Sequence, residues 1–417
     1  MIVRPARDGQ GAEHGQMGQA GGAGRRLAAP ALAAAALAAV ALMTGLAAGS
    51  PASVATQPES RLVTVSCPGS TACFAVGARA GHKQRDQILA LGWNGVRWSP
   101  QAPVNVNHTQ PNDLNSIACL SPAECFAVGS VGSFNFADHR RLIEMWNGTA
   151  WSVLAFGNPK GTLNTFLSSV SCGGPSLCFA VGDQNDNTDL TPGVLLEKWN
   201  GTGWAVQPAL PEPAGAAGIG IQAVSCVSPS DCTAVGDAAL SNFTRQTTLA
   251  EHWDGHSWSI EPMPALGASD QPLLTAVSCA GTACMATGIV FTPTGEAPLA
   301  ERFDGTTWSV VPLAQPAGTN LFAVNGVECT LPANCFAVGT AVFSVRRTLI
   351  EHWDGTRWAV TPSPSTTGED STLLGVSCAA AGSCMAVGSS FTTVTSLTLA
   401  LRLSGGHWTI TPTPSPG

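Results

Sequence analysis

Short runs of apolar and β-branched residues, each ended by turn residues, follow one another along most of this chain. One stretch shows the pattern clearly, with runs at 321–329, 335–339, 349–353 and 358–360. Gly, Pro, Asn and Asp lie between the runs, and no helical period is visible. Such runs, bounded by turn signals, predict β-strands. We call the four predicted strands of the unit a, b, c and d.

The four-strand unit occurs seven times, and a pair of cysteines marks the same place in every copy. The first cysteines of successive pairs lie 49 to 54 residues apart. Strand a ends at the first cysteine and strand b starts at the second. We therefore expect the two thiols to face each other across an a–b hairpin.

The first 55 residues differ from the repeats. Arg25 and Arg26 precede an Ala-, Leu- and Val-rich run, and small residues follow up to Ala55. This order is typical of a secretory signal, with an uncleaved anchor as the alternative because the run is long enough to span a bilayer. We predict a Gly-rich leader with a signal peptide or anchor over 1–55, and one domain over 56–417.

Export explains the fourteen cysteines, because thiols in an oxidising compartment become disulfides. A structural zinc site would need four ligands, but each unit supplies two thiols and no regularly placed histidine. The expected disulfides are Cys67–Cys73, Cys119–Cys125, Cys172–Cys178, Cys226–Cys232, Cys279–Cys284, Cys329–Cys335 and Cys378–Cys384.

Seven four-stranded units of this period predict an all-β fold, a seven-bladed β-propeller with one disulfide in each blade. The chain would run from strand a of the first blade to strand d of the last, and the ring would close by packing. A terminal strand that completes the other end's blade is the alternative. The predicted blades cover approximately 56–106, 107–160, 161–213, 214–266, 267–316, 317–366 and 367–417.

Asn-Gly or Asp-Gly follows the strand-c aromatic in most units and predicts a two-residue type I′ turn. In the fourth unit, that turn would pair Trp253 with His256 and Glu251 with Trp258. All twelve tryptophans are repeat positions, so we expect them to pack the blades together.

Five units carry a glutamate at one strand-c position. Catalysis breaks repeat symmetry whereas these residues follow it, so we expect a structural hydrogen bond or ion pair within each blade. The residues are Glu144, Glu197, Glu251, Glu301 and Glu351.

The glycine that ends strand b, the aromatic-Asp pair and the later tryptophan resemble the kelch pattern. The Asp-Gly-x-x-Trp turn resembles the Asp-box hairpin of sialidase-like propellers, although Asp254 and Gly255 are adjacent where the Asp-box has a residue between them. Resemblance to galactose oxidases would imply a copper site with a Tyr–Cys cofactor, and resemblance to sialidases a tyrosine nucleophile. The chain has no tyrosine, which excludes both chemistries.

Strand alternation places the a–b and c–d turns on one face of the disc and the b–c and d–a loops on the other. The second face, which we call the loop face, varies between units, and variable loops on a rigid scaffold usually carry the binding residues. The candidates are Phe134, Phe136, His139, Arg141 and Arg346.

One loop has oxygen-bearing residues at the alternate spacing of a calcium site. The predicted ligands are Asp183, Asn185, Asn187 and Asp189. The glycine and the glutamate of a calcium loop are missing, so a plain polar loop is the alternative. We expect no other cofactor.

The formal net charge is −8 without a basic patch, which argues against nucleic acid and anionic membranes as partners. Scarce Lys with abundant Ala, Gly, Pro and Arg suggests a bacterial source. We predict a secreted, possibly surface-anchored, binding module for a glycan, a cell-envelope polymer or a protein. The alternatives are a carboxylate-based glycoside hydrolase or polysaccharide lyase, and a purely structural envelope protein. The ligand and the oligomeric state stay open.

Overall fold

The computed structural model describes residues 59–81, 86–107, 109–132, 138–186, 193–240, 245–319, 321–392 and 395–415. These ranges form 28 strands in seven sheets of four, with antiparallel neighbours and no helix. No helix of the described part is therefore long and apolar enough to cross a membrane. The predicted all-β, seven-bladed propeller is confirmed.

The strands run in chain order through the blades. Blades 1 to 4 contain β1 (Ser60–Gly69), β2 (Ala72–Ala80), β3 (Asp86–Trp93), β4 (Trp98–Pro100), β5 (Asn112–Ser121), β6 (Glu124–Val131), β7 (Arg140–Trp146), β8 (Trp151–Phe156), β9 (Thr162–Gly174), β10 (Leu177–Asp186), β11 (Gly193–Trp199), β12 (Trp204–Val206), β13 (Ala216–Ser228), β14 (Asp231–Leu240), β15 (Arg245–Trp253) and β16 (Trp258–Glu261). Blades 5 to 7 contain β17 (Gln271–Ala280), β18 (Ala283–Thr292), β19 (Gly295–Phe303), β20 (Trp308–Val310), β21 (Phe322–Leu331), β22 (Asn334–Val342), β23 (Arg346–Trp353), β24 (Trp358–Thr361), β25 (Asp370–Ala380), β26 (Ser383–Phe391), β27 (Ser396–Ser404) and β28 (His407–Ile410).

Every sheet consists of four consecutive strands, so no blade borrows a strand from the other end of the chain. Each strand a packs beside the strand a of the next blade, including β25 beside β1, which makes strand a the innermost. Between blades 7 and 1, the Cys67 N–H donates to Ser377 Oγ over 3.1 Å, and Ser396 Oγ donates to the Ser60 carbonyl over 3.2 Å. The ring therefore closes by packing and side-chain hydrogen bonds.

All seven predicted disulfides are present, each within one blade. In blade 4, Cys226, Cys232, Trp253 and Trp258 lie opposite one another in a row across the sheet. This row packs against residues of blade 3. Closing so short a loop stabilises the fold by about 2 kcal/mol in the chain-entropy account.

A strand-b phenylalanine of one blade packs onto the tryptophan pair of the next. Phe179 of blade 3 lies 5.2 Å from the ring of Trp253 and 5.0 Å from that of Trp258 in blade 4. Met285 and Met385 take the equivalent position toward blades 6 and 1. All twelve tryptophans lie in such clusters between blades, as the repeat pattern predicts.

The predicted register of the c–d turn is wrong. Trp253 pairs directly with Trp258 rather than with His256. The turn has four residues and is closed by the Asp254 N–H, which donates to the Ser257 carbonyl over 3.2 Å. Asp254 Oδ1 accepts the N–H groups of His256 and Ser257, both over 2.8 Å. Because this side chain satisfies two turn donors, the longer turn is favoured over the type I′ turn.

A serine beside the first cysteine links neighbouring blades on the hairpin side of the disc. Its hydroxyl oxygen accepts the N–H of the first cysteine in the following blade, over 2.9 to 3.1 Å. The five pairs are Ser66–Cys119, Ser171–Cys226, Ser225–Cys279, Ser278–Cys329 and Ser377–Cys67. Glu328 takes this position in blade 6 and accepts the Cys378 N–H.

Candidate functional site

Four of the repeated strand-c glutamates form structural contacts between blades, so the prediction of a contact within each blade is wrong. Their side chains are fully buried and face the preceding blade. The N–H of Val104 donates to Glu144 over 3.1 Å, and that of Ala314 donates to Glu351 over 2.7 Å. Both donors lie six residues after a strand-d tryptophan, in the d–a linker of the preceding blade.

Proline at that linker position removes the N–H that the glutamate needs. Pro364 and Pro414 occupy it in blades 6 and 7. The following blades then carry Leu401 and Leu91 in place of glutamate, both buried. In blades 7 and 1, a buried leucine therefore lies where the preceding linker has no N–H to donate.

The other three strand-c glutamates differ from Glu144 and Glu351 in what their carboxyl groups contact. Pro264 precedes blade 5, and there Thr248 Oγ1 donates to Glu301 over 3.2 Å instead. In blade 3, Glu197 is paired with the guanidinium of Arg141. Glu251 accepts a hydrogen bond from none of the described residues.

Burial raises the pKa of these carboxyls, since the charged form is desolvated. The pKa rises to about 7 for Glu144, Glu301 and Glu351, and to about 8 for Glu251. For Glu197, burial raises the pKa although Arg141 opposes it. Shifted pKa values often mark active sites, but these groups are enclosed between sheets and follow the repeat.

Of the five predicted binding residues, the structure describes His139 and Arg141 in blade 2 and Arg346 in blade 6. The Arg141 guanidinium forms an ion pair with Glu197 and donates to the Gly157 carbonyl over 2.8 Å. The Nδ1 of His139 lies 3.3 Å from Ser130 Oγ in the same blade. Arg346 lies in blade 6, far along the chain. The two remaining candidates, Phe134 and Phe136, lie outside the described residues.

The first two predicted calcium ligands lie in a strand. Asp183 pairs with Phe166 and Asn185 pairs with Asn164 in the ladder between β9 and β10. Asp183 is 5% exposed, and burial together with the charge of Asp237 raises its pKa to about 7. Among the described residues, no group of three or more His, Cys, Asp or Glu side chains could hold a metal.

The other two calcium candidates, Asn187 and Asp189, lie outside the described ranges. Calcium binding by this loop therefore stays a prediction.

A cavity of about 360 Å³ opens on the loop face at blade 6. Its walls include Phe343 and Arg347 from the b–c hairpin, Pro316 from the preceding linker, and Thr366 and Glu369 from the following one. It combines an aromatic ring, both signs of charge and several hydroxyl groups. Such a mixture is typical of small polar ligand sites.

The blade-6 linker forms one wall of this cavity. β24 ends at Thr361, so β23 has no strand-d partner at its first residues. Pro362 and Pro364 cannot donate a ladder hydrogen bond, so the linker leaves the sheet there. The linker is then held by the Thr348 N–H, which donates to Ser365 Oγ over 3.0 Å.

Two side chains that line the cavity, those of Phe343 and Arg347, are exposed. Phe343 is 38% exposed, and the Arg347 guanidinium carbon lies 5.9 Å from the centre of its ring. The ion pairs of the described residues include neither Arg347 nor Glu369. The sequence singles out the pair Arg346 and Arg347, and Arg346 was chosen as the candidate; its backbone N–H donates to Asp370 over 2.7 Å, whereas Arg347 lines the cavity. The signal was an exposed aromatic within the same b–c hairpin.

No family model matches the chain, and no curated protein matches it. Solved structures do resemble it. An ulvan lyase of a polysaccharide lyase family has a TM-score of 0.54 at 8% identity, over 84% of this chain and 95% of the lyase. YCF48 bound to a D1 peptide has a TM-score of 0.47 at 12% identity, over 84% and 95%. A six-bladed fungal lectin from Aleuria aurantia has 0.42 at 10%, over 72% and 96%. Identities this low concern the fold alone.

Proposed function

We propose that this protein is an extracellular binding module that holds a glycan on its loop face. The observation that carries the proposal is the blade-6 cavity, which places an exposed aromatic ring beside hydrogen-bonding groups of both kinds. A cell-envelope polymer and a protein are the alternative ligands.

The rest of the architecture supports a scaffold role. Aromatic pairs, disulfides and buried glutamates use the repeat positions to join blades. The loop face is free to vary on this rigid support. The ulvan lyase with the same fold acts on a polysaccharide, so a propeller of this kind can present a polysaccharide site.

Export is part of the proposal, with a leader over 1–55 and one domain over 56–417. Seven disulfides support it, since such bonds persist in oxidising compartments. A kelch-like or Asp-box-like repeat is proposed on the Asp-Gly turns and the strand-b glycines. A bacterial source is proposed on the scarce Lys and the abundant Ala, Gly, Pro and Arg.

The rival function is a carboxylate-based glycoside hydrolase or polysaccharide lyase. A hydrolase of this kind needs two carboxyl groups facing one substrate. Among the described residues that line the cavity, Glu369 is the one carboxylate. Asp183 and Asp237 have raised pKa values, but they are buried rather than part of the cavity wall. We therefore favour binding.

The full chain, purified after export, should be screened against immobilised glycans, cell-wall fractions and peptides, with and without calcium. We expect saturable binding to glycans that survives chelation. Binding to peptides alone, or to none of the three, would overturn the proposal. Shortening of a bound polysaccharide during the assay would favour the enzyme.

A further inference from the structure

We propose that the blade-6 cavity recognises an uncharged sugar residue of a glycan. This rests on the proposed glycan binding and narrows it to a ligand class and to one site.

The volume of about 360 Å³ lies at the small end of ligand pockets. It suits one or two sugar units at the end or a branch of a glycan better than a long internal stretch. Phe343 offers a partly exposed ring to the C–H face of a sugar. Aromatic side chains supply apolar contact area with a defined orientation.

The charged side chains of Arg347 and Glu369 can form hydrogen bonds with sugar hydroxyl groups. Arg347 presents a planar fork of donors, and Glu369 presents two acceptor oxygens. Each sugar hydroxyl both donates and accepts, so a pair of hydroxyls can satisfy both side chains. Charge-assisted hydrogen bonds of this kind are the stronger ones.

The charge balance favours an uncharged ligand. The positive charge of Arg347 is offset by the negative charge of Glu369 across the same small space. An acidic sugar would gain from the arginine but would be repelled by the carboxylate and by a chain of net charge −8. A cationic ligand would meet the arginine in the same way.

The polar wall is held in place before any ligand binds. Ser365 Oγ accepts the Thr348 N–H, and Thr366 Oγ1 lies 2.5 Å from Ser371 Oγ. Thr348 Oγ1 also donates to the Pro364 carbonyl over 3.0 Å. A wall ordered in this way loses little conformational entropy on binding, which favours affinity for a small ligand.

The neighbouring blades do not repeat this combination. The position of Phe343, four residues after the strand-b glycine, is Thr292 in blade 5 and Thr392 in blade 7. The position of Arg347 is Ala297 in blade 5 and Leu397 in blade 7. The site therefore departs from repeat symmetry in this part of the ring.

The test is calorimetric titration of the full chain with neutral hexoses and their disaccharides, and with uronic acids as the charged comparison. Phe343→Ala removes the ring, Arg347→Gln removes the positive charge and the guanidinium fork, and Glu369→Gln removes the negative charge. Each variant has a matched control outside the cavity, namely Phe156→Ala, Arg97→Gln and Glu212→Gln, all at exposed positions. Thermal unfolding checks that every variant folds.

We expect a neutral saccharide to bind, and each cavity variant to weaken it about tenfold, the scale of one hydrogen bond to a charged group or one aromatic contact. The controls should change affinity less than twofold. Added salt should have little effect, because the ligand carries no charge to be screened.

Uronic acids that bind more tightly than neutral sugars would overturn the assignment and leave glycan binding intact. Glycan binding that all three cavity variants retain would place the site elsewhere, which also overturns this inference alone. Absence of any glycan binding would overturn both this inference and the proposed function.

Discussion

Phe179 and Phe343 show two ways in which this chain uses an aromatic residue. Phe179 occupies a repeat position, is fully buried and packs on Trp253 and Trp258 of the next blade. Phe343 occupies a loop position, is 38% exposed and lines a cavity. The first side chain is needed to hold the ring together, whereas the second is available to a ligand.

The repeat positions between blades serve packing, whereas the loop face carries the proposed ligand cavity. Residues between blades are constrained by the blade on either side, as the contact between Glu144 and the linker of the preceding blade shows. Residues of the loop face differ between blades, as Phe343 and its counterparts Thr292 and Thr392 show. Variation there costs little stability and allows a single site.

The largest expected effect is that of Phe179→Ala. It leaves a cavity beside two tryptophans and should lower the free energy of unfolding by about 3–5 kcal/mol. Phe343→Ala should lower it by less than about 1 kcal/mol, because the ring is partly exposed. Chemical denaturation of both variants measures the difference.

Phe156→Ala, at another exposed aromatic, is the control for this pair. Equal losses for Phe179→Ala and Phe343→Ala would contradict the division between interface and loop face.

A smaller effect is expected from Leu91→Glu, which places a carboxyl opposite Pro414. No N–H is available there, so the buried acid should cost about 2–3 kcal/mol of unfolding free energy. A second change, Pro414→Ala, provides the missing donor and should recover part of the loss. The coupling in a double-mutant cycle measures the hydrogen bond.

Additive losses in that cycle would show that the linker N–H does not select the residue on strand c. Pro414→Ala alone serves as the reference, since the carbonyl that accepts from Thr398 Oγ1 is retained.

The last expected effect concerns pH. The pKa of Glu251 is raised from 4.5 to about 8 by burial, so the folded state binds a proton that the unfolded state has released. The stability contribution is therefore complete below about pH 4.5 and is lost as the pH rises toward 8. Glu251→Gln should flatten this decline, measured as unfolding free energy against pH.

Glu212→Gln, at an exposed linker position, is the control and should leave the slope unchanged. A stability that rises between pH 5 and 8 in the unaltered protein would contradict the assignment of neutral, buried carboxyls to the interfaces.

Several features could be predicted because they depend on neighbours in sequence. The seven disulfides and the clustering of the tryptophans followed from residue spacing alone. The register of the c–d turn did not, because Asp254 satisfies two turn N–H groups and so favours a longer turn. A structural role for Glu144 was predicted, but its donor was not, because the Val104 N–H comes from another blade.

The cavity could not be predicted from the sequence. Phe343, Thr366 and Pro316 come from three separate segments, and no spacing rule links them. Arg141 looked like a binding residue in the sequence, but an acid 56 positions later, Glu197, neutralises it in the folded protein.

By itself, the sequence determined the number of blades, the four strands in each, the cysteine pairing and the chemistry that a chain without tyrosine cannot perform. These depend on local period and residue type, which every copy repeats. The tertiary structure alone decided which linker N–H meets which glutamate, which arginine is neutralised, and where an aromatic ring and two opposite charges meet around one cavity. Those are distances between residues far apart in the chain, and they exist only once the ring has closed.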